Sequence, residues 1–200
     1  MPKKRRKFRR PSGQRRYRKL FVIATEGRKT EPRYFSLFNS ASVIRVLCLK
    51  CDGDSAPKQV LKRMQHYLKD EGIKSTDEAW LVVDKDQWSS AQLLMLHQWA
   101  QSALNYGMAL SNPKFEYWLL LHFEEGRGVG TSSQCSERLR RYLPGYDKDV
   151  SPRKFPTENI IKAVQRAQAR DKPPCKDWPR RPGQTTVYRL VARLLAQSAP

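Results

Sequence analysis

A chain of 200 residues can bury a sizeable core without disulfides or a structural metal. Its 39 Lys and Arg against 19 Asp and Glu leave a formal charge of +20, which concentrates polyanions near the surface, nucleic acid being the usual one. A run of about 18 apolar residues is absent, which excludes a membrane-spanning helix, and no apolar segment follows the N-terminal charges as a secretory signal requires. The expected location is therefore the cytoplasm, free or on nucleic acid.

Residues 1–19 carry eleven of the basic side chains and no acid, and the remainder, 28 basic against 19 acidic, still stands at +9. This arm has almost nothing to bury and is expected to be disordered when free. Its Pro2-Lys3-Lys4-Arg5-Arg6-Lys7 run, followed by Arg9 and Arg10, reads either as an import signal or as a set of phosphate contacts. Residues 20–200 form the expected domain.

Leu20-Phe21-Val22-Ile23-Ala24 is a short apolar run ended by Thr25-Glu26-Gly27, which predicts a buried strand and a turn. Thr30 is the expected cap of a helix with Pro32 in its first turn and Tyr34, Phe35 and Phe38 at helical spacing. A second strand is expected at residues 43–47, within an extended stretch over 42–49. Asp52-Gly53-Asp54-Ser55 reads as a turn, and Pro57 opens a helix with Val60, Leu61, Met64, Tyr67 and Leu68 on one face. Residues 79–83 predict a third buried strand ending at Asp84-Lys85-Asp86, followed by a helix over 90–105 and a strand over 107–110.

Ser111-Asn112-Pro113 predicts the cap of a helix running through residue 123, with Trp118, Leu119 and Leu120 in the core and His122 packed or capping rather than shuttling protons. Residues 124–156 read as loop with one helix near 136–142. Helices are expected at 157–170 and 185–197, separated by a Pro- and Arg-rich loop in which Trp178 is exposed by context and able to stack on a base. Strands alternating with helices imply βαβ units and a mainly parallel sheet, whose reactive groups gather at the carboxyl ends of the strands.

Four cysteines (Cys48, Cys51, Cys135, Cys175) are too few and too scattered for a disulfide framework. Cys48 and Cys51 form a CxxC, but residues three apart on a strand point to opposite faces, and no second pair stands at zinc-site spacing. Buried thiols are the preferred reading.

The chemistry-bearing residues are acids that run against the overall charge. Asp84 and Asp86 flank one residue just beyond a buried strand, so both can reach one hard cation, and Glu26 sits two residues beyond another such strand. Together they suit Mg²⁺ or Mn²⁺, with Glu26 as a further ligand or as the general base or acid on a bound water. Glu116 is either an additional ligand or an acid favoured by a helix N-terminus. Arg28, Lys29 and Lys85 can hold substrate phosphates or face solvent, and Asn112 can simply cap its helix.

The strings Thr25-Glu26-Gly27-Arg28-Lys29-Thr30-Glu31-Pro32-Arg33-Tyr34-Phe35, Asp84-Lys85-Asp86 and Ser111-Asn112-Pro113-Lys114-Phe115-Glu116-Tyr117-Trp118-Leu119-Leu120-Leu121-His122-Phe123 resemble the RloB-like family. The resemblance covers the chain from about Leu20 to its end. It implies an α/β, Toprim-like fold, a mainly parallel sheet flanked by helices with a helical C-terminal extension. It also implies a role in phage defence and abortive infection, and a partnership with an AAA-type (RloA-like) ATPase acting as sensor. On Toprim precedent Glu26 would be the catalytic glutamate, with Asp84 and Asp86 binding Mg²⁺ for phosphodiester cleavage of DNA or RNA, tRNA included. Two other readings stay open: a catalytically silent nucleic-acid-binding module, and a primase-type nucleotidyl transferase.

Overall fold

The computed structural model describes residues 18–198 except 41, 52, 54–55, 86–87 and 146–149. Five strands form one sheet of order β2-β1-β3-β4-β5, built from β1 (Lys19–Thr25), β2 (Ile44–Leu49), β3 (Glu78–Asp84), β4 (Tyr106–Asn112) and β5 (Gln184–Thr185). The first four are mutually parallel and the two-residue β5 pairs antiparallel with the end of β4. The helices are α1 (Thr30–Ser36), α2 (Pro57–Asp70), α3 (Ser90–Ala100), α4 (Phe115–Leu120), α5 (Ser132–Tyr142), α6 (Thr157–Arg170) and α7 (Val187–Ser198). The fold is thus α/β, with a mostly parallel sheet flanked by helices and a C-terminal helix.

Alternation along the strands divides the core in two. Phe21, Ile23, Trp80, Val82 and Ala109 point to the face covered by α1, α4, α6 and α7. Val22, Ala24, Ala79, Leu81, Val83, Met108 and Leu110 point to the face covered by α2 and α3. From β1 the chain crosses to β2 on one side, and from β3 it crosses to β4 on the other. The strand order therefore reverses between β1 and β3, and a crevice opens beyond their carboxyl ends.

The predicted elements meet the structure with instructive differences. Helix α3 has a full capping box between Ser89 and Gln92 but ends at Ala100, five residues before the expected end. Its last turn gives way because Trp99 stacks on Tyr106 (ring centroids 4.6 Å apart) and the Asn105 side chain donates to the Asp77 carbonyl at 2.9 Å. Residues 101–105 are needed to turn the chain into β4. Helix α4 is six residues long rather than nine, because the N–H groups of His122 and Phe123 bond three residues back, closing a tighter turn. Thr30 is not a cap: Lys29 occupies that position, and Thr30 is buried in the first turn. Asn112 lies in β4 instead of capping α4, and its side chain donates to the Pro179 carbonyl at 3.3 Å.

Trp178 corrects the exposure expected from its surroundings. It is 2 % exposed, packs on the α2/α3 face, and has the Arg180 guanidinium 3.9 Å above its ring. A Pro- and Arg-rich loop conceals this because the large apolar ring is worth burying wherever the chain can deliver it, and the neighbouring Arg then covers it. Trp118, Leu119 and Leu120 are core residues, as expected.

Gly107 marks the tightest approach within the sheet. A Cβ there would lie 2.6 Å from the ring of Trp80, and that ring is fixed by donation from its Nε1 to Glu78 Oε2 at 2.9 Å. Gly107→Ala should cost about 1–3 kcal/mol by overpacking. This would read as a melting temperature lower by several degrees in a thermal scan. An unchanged transition would show that the ring can yield.

Candidate active site

The crevice beyond β1 and β3 gathers acids from four segments. Glu26 follows β1, Glu31 sits in the first turn of α1, Asp84 ends β3 and Glu116 lies in the first turn of α4. These four line a pocket of about 200 Å³ together with Gly27, Arg28, Lys29 and Phe115. Parallel register brings them together: Thr25 is opposite Val82, and Asp84 opposite Ser111.

The turn after β1 is built to hold Glu26. Its own N–H continues the ladder to the Val82 carbonyl at 3.0 Å, and Thr25 Oγ1 donates to the Gly27 carbonyl at 2.8 Å. The Glu26 carboxylate accepts from the Asp84 N–H at 3.1 Å and from Trp88 Nε1 at 3.1 and 3.2 Å to its two oxygens. Below the turn, Arg63 of α2 donates to the Thr25 carbonyl at 2.5 Å. Glu31 accepts from the Gly27 N–H at 2.8 Å, and a Cβ on Gly27 would fall 2.1 Å from its carboxylate. A side chain at Gly27 would therefore displace the Glu31 carboxylate from its place in the turn.

Glu31 was overlooked as a functional residue in the sequence because it reads as a helix-start acid. Its signal was the spacing of five residues from Glu26, which returns its side chain to the turn. It is 5 % exposed, and burial together with the nearby Glu116 and Glu26 pushes its carboxyl up to about 7. Asp84 is raised well above the usual carboxylate range, first by burial and then by the charges of Glu31, Glu26 and Glu116. The Phe115 N–H partly offsets this. The neighbouring acids therefore make Glu31 and Asp84 harder to ionise.

The remaining sequence candidates fall in different places. Arg28 and Lys29 are exposed at the pocket wall. Lys85 turns away, donating from Nζ to the Trp88 carbonyl at 2.6 Å. His122 is buried, 3.1 Å from the Tyr34 hydroxyl, and burial pushes its pKa down to about 3, so it is a neutral core residue. Asp86, Asp52, Asp54 and the arm residues Lys3, Lys4, Arg5, Arg6, Arg9 and Arg10 lie outside the described residues. Among the described residues no three His, Cys, Asp or Glu side chains stand at metal-ligand geometry. The donor set nonetheless fits a hard divalent cation, since all four acids offer carboxylate oxygens and a cation would relieve their mutual repulsion. No helix among the described residues is long and apolar enough to cross a membrane.

Fold and site define an α/β domain with an acidic pocket at the topological switch of its sheet. The family model for RloB-like proteins matches residues 21–194, and the chain belongs to that family. No curated protein and no solved structure matches it.

An acid whose folded pKa lies above its unfolded one binds its proton more tightly when folded. Folding is then favoured below the ordinary carboxylate range, and this advantage is lost as pH rises through the raised value. Stability should therefore fall between about pH 4.5 and 7 as Glu31 ionises. Asp84→Asn removes one ionisable acid from the crowded cluster at constant shape and should raise the melting temperature at pH 8 by about 2–4 °C. Thermal melts of both proteins across this range decide it, and a lower melting temperature for the variant would mean that the carboxylate is needed for folding.

Proposed function

We propose that this protein is a Mg²⁺- or Mn²⁺-dependent nuclease that hydrolyses phosphodiesters of DNA or RNA, tRNA included. In the same reading it is the effector of an anti-phage abortive-infection system and works with an AAA-type ATPase. The observation that carries the reading is four carboxylates drawn from separate segments into one pocket, in a chain whose overall charge is +20. Crowding mutually repelling acids, one of them buried, destabilises a fold, so their assembly is better explained by a positively charged ligand than by packing. Membership of the RloB-like family supports the same direction.

Asp84, Glu31 and Glu116, with Asp86 from the sequence, would hold the cation. Bound there, it would polarise a phosphate oxygen and lower the pKa of a water. Glu26 is the best-placed proton acceptor, because Trp88 Nε1 and the Asp84 N–H fix its carboxylate at the pocket. Arg28 and Lys29 would hold the phosphates that flank the scissile one. One observation favours the silent nucleic-acid-binding reading: the Glu26 carboxylate already finds its hydrogen bonds within the protein.

Plasmid, single-stranded DNA, ribosomal RNA and tRNA incubated with Mg²⁺ or Mn²⁺ separate the two readings. Cleavage by the wild type should be abolished by EDTA and fall at least about 100-fold in Glu26→Gln and Asp84→Asn. No cleavage by the wild type even with a candidate ATPase present, while all three proteins bind equally, would overturn the nuclease reading.

A further inference from the structure

A second pocket of about 370 Å³ opens at the β5 edge of the sheet and is lined by Arg127, Arg170 and Arg181 with Glu125 and Gln184. We infer that it is a binding subsite for a backbone phosphate of a polynucleotide strand that passes over the acidic pocket. The inference rests on the nucleic-acid part of the proposed function and not on its catalytic part.

The site is built, not merely basic. Arg170, at the end of α6, is fixed at both its backbone and its guanidinium. Its Nε donates to the Gly183 carbonyl at 2.7 Å, and its own carbonyl accepts from Gln184 Nε2 at 2.7 Å. Gly183 has φ +75°, and a Cβ there would meet Arg170 Nη2 at 3.1 Å and the Val129 carbonyl at 3.0 Å, so glycine is what lets the guanidinium lie so close to the chain. Arg127 sits between Gly126 (φ +63°) and Gly128 (φ +72°), a turn that L side chains would enter only with strain. Among the described residues, Arg127 and Arg181 make no side-chain ion pair, whereas Glu125 is paired with Arg166 at 2.9 Å. The pocket thus keeps two guanidinium groups exposed beside the half-buried, fixed Arg170, while its acid is already paired.

The position also fits. Asp84 is opposite Ser111, and Ser111 is opposite Thr185, next to Gln184 of the pocket wall. Two strand spacings separate Asp84 from Thr185, about 10 Å, a distance that one strand of nucleic acid covers in a few nucleotides. Guanidinium groups suit such a contact, since they bind phosphate through two parallel N–H donors and carry no base information.

The test is binding of the full chain, in EDTA, to labelled single-stranded DNA and RNA of about a dozen nucleotides over a series of salt concentrations. The variant Arg127→Ala/Arg181→Ala changes two exposed side chains, and Lys62→Ala/Lys69→Ala removes the same charge from exposed positions on α2. The arginine pair should weaken binding about tenfold and lower the salt slope by about 0.7, the value for one phosphate on a single strand, whereas the lysine pair should change little. Equal effects of the two pairs, or no effect of the arginine pair, would overturn the subsite. Because EDTA removes catalysis, a failed cleavage assay leaves this result intact, and active enzyme with unaltered binding by the arginine variant would sink the subsite alone. A larger loss with RNA than with DNA would support the subsite and assign the 2′-hydroxyl strand as its ligand.

Discussion

Both faces of the parallel sheet are sealed by apolar side chains, so strand ends are where this chain can place polar groups that meet water. The two ends are treated in opposite ways. At the amino end of β3, Glu78 accepts from Lys19 Nζ at 2.7 Å, Arg193 Nη1 at 3.3 Å and Trp80 Nε1 at 2.9 Å. Asp77 beside it accepts the N–H groups of Leu20 and Lys74 at 2.9 Å each. These acids are neutralised by bases or bonded to backbone and hold the amino ends of β1 and β3 together. At the carboxyl end Asp84 and Glu31 are instead surrounded by further acids, and their pKa values rise for that reason as well as from burial. The same residue types thus serve the fold at one end of a strand and crowd one another at the other, and the proposed cation would relieve only the second arrangement.

The fold was legible because its signals are local. The apolar runs at 20–24 and 79–83 could be nothing but strands buried on both faces, and α6 falls at residues 157–170 as its periodicity implies. The ends of α3 and α4 were not legible, because they are set by contacts made far away in the chain: Asn105 with Asp77, and the His122 ring with Tyr34. Strand β5 was hidden in a loop, since two residues carry no period and its pairing with β4 crosses more than seventy positions. At the site, Glu26 and Asp84 follow directly from strand ends, but Glu31 is recognisable only once the turn has brought its carboxylate back to the Gly27 N–H. Glu116 could be named yet not decided, because its partner acids come from three other segments.

The loop between α6 and β5 has no regular structure, yet it lines the arginine pocket and is held at its start by a buried anchor. Asp171 is 3 % exposed and accepts from the Cys175 N–H, the Tyr188 hydroxyl and Arg189 Nη2, each at 2.9 Å. Burial alone would raise its pKa, but these donors together hold it below the usual carboxylate range. Two of them belong to α7, whose Leu190, Val191 and Leu194 lie in the core cluster with α4. The loop is thereby tied to the C-terminal helix at its start. Further along, Trp178 enters the opposite core face and the Pro179 carbonyl receives the Asn112 side chain at the end of β4.

With those two points fixed, the chain must return past Gly183, whose N–H donates to the Asn112 carbonyl at 2.8 Å, and this contact starts the β5 pairing. A parallel sheet would otherwise leave the β4 edge open at the height of the acidic pocket. Closing it with two antiparallel residues costs little chain and places Arg181 and Gln184 beside that edge. The C-terminal helix is therefore part of the apparatus that holds this edge of the sheet: without α7, Asp171 would lose Tyr188 and Arg189 and keep only its contacts with Cys175, and the start of the loop would be held less firmly.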